Sequence, residues 1–117
     1  MTLVDTGIWI DHFNAGVPRL AELLREGQVV CHRWVLGELL MGSGVPDRYL
    51  EILRELRPAQ TLPDEVLLEA IDRYGWRGLS WVDLQLVLSA NAGGHVLWTR
   101  DEALRRVAEA LGVAAGR

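Results

Sequence analysis

The sequence predicts an α/β domain, a three-layer α/β/α sandwich around a small central parallel sheet. Three observations carry this. Short apolar runs of strand length alternate with longer runs of helix length, the pattern of a parallel sheet covered by helices. Glycine and proline punctuate the junctions, at Pro18, Gly27, Gly42–Gly44, Pro46, Gly75–Gly78 and Gly93–Gly94. Half of the 117 residues are apolar, enough to bury one core without disulfide staples.

From the N-terminus, Thr2–Asp5 is an apolar strand and Thr6–Asn14 a helix, in which Ile8, Trp9 and Ile10 precede polar residues. Pro18 opens the next helix at a first-turn position, where its missing N–H costs nothing, and Gly27 ends it. Gln28–Cys31 is β-like. Arg33–Met41 is a strongly apolar helix that Gly42–Gly44 stop. Pro46–Leu56 is a helix with Tyr49, Leu50, Leu53 and Leu56 on one face. After Arg57–Pro58 a short extended piece, Gln60–Leu62, precedes a Pro63–Tyr74 helix. Gly75–Gly78 form a loop, Ser80–Ala92 a long apolar helix, His95–Trp98 a strand, Asp101–Leu111 a helix and Val113–Ala114 a last strand. Residues 1–117 read as a single domain.

Composition excludes several chemistries. All 12 basic residues are Arg, so Schiff-base lysine chemistry and the phosphate-binding lysine of P-loop enzymes are absent. A net charge of −4 argues against broad coating of nucleic acid, though not against an acidic site that meets phosphate through cations. Cys31 is the only cysteine, so it has no disulfide or thiolate-zinc partner, and a cytoplasmic protein is expected. No run approaches the ~20 apolar residues of a membrane span. Asp5 and Asp11 interrupt what would be the apolar part of a leader, so no export signal is expected.

Most acids here sit among other charges on helix faces. Four do not. Asp5 ends the first strand in LVDTGIWI, where an N-cap is the ordinary reading. Glu38 interrupts RWVLGELLMG, and its helical neighbours Trp34, Val35, Met41 and Gly42 offer no partner. A bare carboxylate there must snorkel past Gly37 and Gly42 or meet a cation. Asp83 in LSWVDLQLVLSA faces Leu79, Ser80, Leu86 and Val87, although Ser80 and Asp83 have capping-box spacing. Asp101 follows the strand HVLW, and Thr99 with Glu102 reads as the capping box that leaves Asp101 unused. Parallel neighbouring strands would bring all four acids to one sheet edge. Like charges in a poor dielectric raise one another's pKa, and a divalent cation resolves the conflict. Oxygen-only ligands select Mg²⁺ or Mn²⁺, in one- or two-ion form. Such a site suits phosphodiester hydrolysis.

These residues carry a resemblance. VDTGIWIDHF, VLGELLMG, WRGLSWVDLQLVLSA and VLWTRDEAL, in this order across the whole chain, resemble the PIN-domain ribonucleases, most closely the VapC-type toxins of toxin–antitoxin pairs. The resemblance implies a PIN-like fold and a Mg²⁺- or Mn²⁺-dependent endoribonuclease with metal ligands at Asp5, Glu38, Asp83 and Asp101. It implies orienting roles for Thr6 and Thr99. It also implies a structured RNA substrate such as transfer or ribosomal RNA, an inhibiting antitoxin, and a homodimer. Two departures are Gly7, where a larger residue is common, and Ala103–Leu104, where many relatives carry an aromatic.

Arg100, Arg77 and Arg73 are candidate RNA contacts, with Arg105 and Arg106 available to a basic rim. Asp11 and His12 read as helix surface, and the three scattered His show no metal spacing. Trp34, Trp81 and Trp98 fall in core-like runs, while Trp9 and Trp76 are candidates for an interface, with core packing the default for any one of them. Two other readings stand beside the nuclease. One is a PIN-like binding module without turnover, which the four intact acids oppose. The other is a Mg²⁺-dependent phosphoryl-transfer domain, which normally needs a lysine. An antitoxin Arg or Lys inserted among the acids is expected to replace the metal's charge.

Overall fold

A computed structural model describes residues 1–42 and 44–116. The chain runs β1 (Thr2–Val4), α1 (Thr6–Ala15), α2 (Pro18–Arg25), β2 (Val29–His32), α3 (Arg33–Met41), α4 (Asp47–Glu55), β3 (Arg57–Ala59), α5 (Asp64–Tyr74), α6 (Trp81–Gly93), β4 (Val96–Trp98) and α7 (Glu102–Ala110). The strands form one sheet in the order β3-β2-β1-β4, every pairing parallel. Right-handed crossovers put the helices between β1, β2 and β3 on one face. The chain then reverses direction from β3 to β4, so α5, α6 and α7 cover the other. Packing agrees: α1 meets α3 and α3 meets α4, while α6 touches both α5 and α7. This is the predicted three-layer sandwich.

Burial on both faces explains why the inner strands are unbroken apolar runs rather than alternating ones. All of β1 and β2 is buried, with Leu3, Val4 and Val30 fully so. At the edge, Arg57 and Pro58 of β3 are exposed, and an edge strand is where a proline lacking its N–H is tolerated. Glycines in the left-handed region end α5 and α6, Gly75 at φ 66° and Gly94 at φ 69°. Among the described residues no helix is long and apolar enough to cross a membrane.

Three expectations need correction. The third strand is Arg57–Ala59, not Gln60–Leu62, because side chains of α6 occupy the latter's backbone. Gln85 accepts from the Leu62 N–H at 2.8 Å and donates to its carbonyl at 3.1 Å, and the Ser89 hydroxyl donates to the Gln60 carbonyl. The side chains thus imitate a neighbouring strand. Val113–Ala114 contributes a single parallel bridge, Leu97 with Ala114. Trp81 is 40% exposed instead of forming core, whereas Trp9 is fully buried, as its default reading has it. The predicted stop at Gly42–Gly44 is met at Gly42; Ser43 lies outside the described residues.

Candidate active site at the carboxyl edge of the sheet

Strand order locates the site. In an open parallel sheet, ligands bind beyond the carboxyl ends of strands where the order reverses. Here the reversal lies between β1 and β4, whose following loops leave toward opposite faces. Val4 pairs with Trp98, so the next residues, Asp5 and Thr99, stand side by side at the mouth of that crevice.

Asp5 is held by three contacts. Its N–H donates to the Trp98 carbonyl at 2.9 Å. One carboxylate oxygen accepts from the Thr6 amide at 2.8 Å, capping α1, and the other accepts from the buried Thr99 hydroxyl at 2.7 Å. Thr99 Oγ1 in turn accepts from the Asp101 amide at 3.1 Å. One hydroxyl therefore ties the end of β1 to the start of α7. Thr6 takes part through its backbone N–H.

Asp101 is the N-cap of α7, its carboxylate accepting from the Leu104 amide at 2.9 Å. This corrects the capping expectation: Asp101, not Thr99 with Glu102, closes the helix, because Thr99 is spent on Asp5. Asp83 lies in the first turn of α6, where Ser80 caps the helix by accepting from the Asp83 amide at 3.1 Å, as its spacing predicts. Partial burial pushes the Asp83 carboxyl up most. The Ser80 hydroxyl and amide pull it down, and the charges of Asp5 and Asp101 push it up again. Glu38 is exposed on α3, and its carboxylate has no hydrogen bond among the described residues. Loss of solvent raises its carboxyl first, then the charges of Asp5 and Asp83. It borders a largely apolar groove formed by Ile10, Phe13, Leu39 and Val45.

Asp5 is thus the electrostatic centre, acting on both helix acids, while Asp101 reaches Asp83. Among the described residues, no three His, Cys, Asp or Glu side chains already stand close enough to enclose a metal ion. The donor set is nonetheless all oxygen, negatively charged and without a lysine to neutralise it. That is the chemistry of a hard divalent cation.

Of the basic candidates, Arg100 is ion-paired with Asp11. Arg105 pairs with Glu109 at 3.0 Å and Arg106 with the Glu102 carbonyl. Arg73 lies over the Tyr74 ring, and Arg77 donates to the Trp76 carbonyl. Arg73 lies in the last turn of α5 and Arg77 in the connection to α6.

Sequence reasoning missed a buried polar group beneath the site. His32 and Gln85 are both fully buried. His32 Nδ1 accepts from the Trp34 amide at 3.0 Å and caps α3, the helix of Glu38. Gln85 sits two residues from Asp83 on α6, its amide spent on the Leu62 backbone, and burial lowers the His32 pKa. An imidazole that accepts at Nδ1 is neutral and carries its proton on Nε2. The only local signal was a histidine directly before a helix start, a position open to many roles.

A small parallel sheet with acids gathered where its strand order reverses defines an acidic-edge α/β domain. The chain belongs to the PIN domain family, whose profile matches residues 2–110. It is 42% identical to the protein named Ribonuclease VapC32 in two Mycobacterium tuberculosis strains, H37Rv and CDC 1551, over 97% of this chain and 95% of theirs. The crystal structure of PAE2754 from Pyrobaculum aerophilum shares the fold, with a TM-score of 0.58 at 15% identity, covering 95% of this chain and 94% of that one.

Proposed function

We infer that this chain is an endoribonuclease of the VapC type, the toxin of a toxin–antitoxin pair, and that Mg²⁺ or Mn²⁺ is its cofactor. The observation that supports it most is Asp5. It is locked between two strands at the reversal point and raises the carboxyl groups of Glu38 and Asp83 through its charge. The kinship with proteins named ribonuclease supplies the reaction class.

In this reading Asp5, Glu38, Asp83 and Asp101 hold the cation. When bound, it would lower the pKa of an attacking water and offset charge on the scissile phosphate and leaving oxygen. The protein's own residues prepare the place. Thr6 and Thr99 fix both oxygens of Asp5, so its orientation is set before substrate arrives. Ser80 holds the turn that presents Asp83. Glu38, its carboxylate without a hydrogen bond among the described residues, can turn toward Asp5 and exchange repulsion for a shared cation. The substrate is RNA, transfer or ribosomal RNA being the structured classes expected. The partner is a cognate antitoxin whose Arg or Lys occupies the acidic edge in place of the metal, and the toxin acts as a homodimer.

The test is cleavage of cellular RNA in vitro with Mg²⁺ or Mn²⁺ and with chelator, followed by sequencing of the new ends. Cleavage only with metal, abolished by Asp5→Asn and Asp83→Asn, supports the reading. Cleavage that ignores chelator and both substitutions overturns it.

A further inference from the structure

The end of α5, its connection to α6 and the first residue of α6 carry aromatic surface outside the acid cluster, Trp76 packing partly against the core. Tyr74, 47% exposed, stacks on Trp76 with ring centroids 4.5 Å apart and planes 9° from parallel. The Arg73 guanidinium lies 5.3 Å from the Tyr74 ring centre. Arg77 leaves the same loop, its guanidinium reaching no carboxylate among the described residues. Beside Trp76 a small cavity is lined by Trp81, Ile71, Leu79, Ser80 and Leu84. Trp81 is itself 40% exposed. Ser80 caps the turn that carries Asp83, so this aromatic surface runs into the acidic edge.

We propose that the α5–α6 connection is a nucleobase-stacking subsite that seats an unpaired base of the RNA beside the candidate catalytic edge. This rests on the ribonuclease reading and adds to it how the substrate is placed. Flat aromatic faces stack on any base. Arg73 and Arg77 supply the positive charge that phosphates on either side of that base require, and neutralising phosphate releases counterions. A protein chain is the poorer occupant, because covering this surface would desolvate both arginines without an acid to meet them. In an acidic protein, two arginines flanking stacked rings next to Asp83 fit a nucleic-acid strand better than a second copy. The subsite demands an unpaired base, so it directs cleavage to loops and single strands.

The test uses the intact chain carrying Asp5→Asn, which blocks turnover while leaving the connection untouched. Binding of a short single-stranded RNA of mixed sequence is compared with binding of a fully paired RNA duplex, alongside sedimentation to read the oligomeric state. The expected result is preference for the single strand. Tyr74→Ala with Trp76→Ala weakens that binding about 10- to 100-fold, leaves duplex binding and oligomeric state unchanged, and Trp76→Phe binds close to the parent. Trp76→Leu, which fills the space without an aromatic face, carries the decision if the alanine pair unfolds: it too binds weakly. Equal binding by the folded Leu or Ala variants overturns the subsite, as does a loss that coincides with dissociation of a dimer. Failure of the Asp5→Asn parent to bind RNA, with no cleavage by the unsubstituted chain, overturns the ribonuclease reading itself.

Discussion

The acidic edge has two halves built on different principles. Asp5 and Asp101 follow strands, cap the helices that come next, and spend carboxylate oxygens on backbone amides. The fold needs them whatever the site does. Glu38 and Asp83 project from helices, and both have carboxyl groups pushed upward by lost solvent and by neighbouring charge. The fold gains little from them. On the proposed reading, the first pair is where stability and function coincide, and the second is where a cost in stability is tolerated for function. Substitution can therefore separate the two halves.

The largest effect is expected at Asp5. Asn caps a helix as well as Asp does, so Asp5→Asn removes charge while keeping α1 closed. RNA cleavage should fall by more than about 10²-fold with only a small change in melting temperature. Wild-type turnover by this variant would remove Asp5 from the site. For Asp83→Asn and Glu38→Gln a comparable loss of cleavage is expected, but with a different stability signature. In chelator at neutral pH both should melt no lower than the parent, because each relieves like-charge repulsion. Destabilisation of both by more than about 1 kcal/mol, from melts in chelator, would erase the contrast between the halves.

Much of this was legible from the residues, for reasons that differ by element. Helix Arg33–Met41 is bounded by a glycine and by the end of an apolar run, and the structure returns the same limits. Ser80 declared itself as a cap three residues before Asp83. What escaped depends on contacts across the chain. Gln60–Leu62 has no local reason to lose its strand partners; Gln85 and Ser89, more than twenty residues on, take them. Thr99 looked like a helix cap until the β1–β4 pairing set it against Asp5, 94 residues away in sequence. Trp81 was read as core because an indole in an apolar helix run satisfies either place. The four acids were visible one at a time through their unsuitable neighbours, whereas their mutual electrostatics required the strand order.

Asp101 tests the boundary between the halves. Asp101→Asn preserves the cap and Asp101→Ala loses it, at a cost of about 1 kcal/mol in melting experiments. If Asp101 also serves the cation, both variants lose cleavage alike. If it serves only α7, the Asn variant keeps full activity and the Ala variant loses stability alone.

A smaller effect follows from pH. A carboxyl whose pKa is raised by folding keeps its proton longer in the native state than in the unfolded one. Its contribution to stability is therefore most favourable at low pH, and it declines as pH rises from the ordinary carboxylate range through the raised native values. Melts in chelator should show the parent losing ground to Asp83→Asn between about pH 4 and pH 7, and Mg²⁺ should restore more at pH 7 than at pH 4. A difference between the two proteins that stays constant with pH would mean that Asp83 feels no such crowding.

The smallest effect is expected one strand inward, at Cys31. It belongs to the floor of the sheet, and burial pushes its thiol up to about 11. A thiol so reluctant to ionise is a poor nucleophile. Cys31→Ala should leave cleavage unchanged and cost about 1 kcal/mol or less, as a small buried group is lost. In the folded protein a thiol reagent should react no faster than the chain opens. Rapid labelling that also stops cleavage would show that the floor communicates with the edge, and that the division into a structural interior and a chemical rim is drawn in the wrong place.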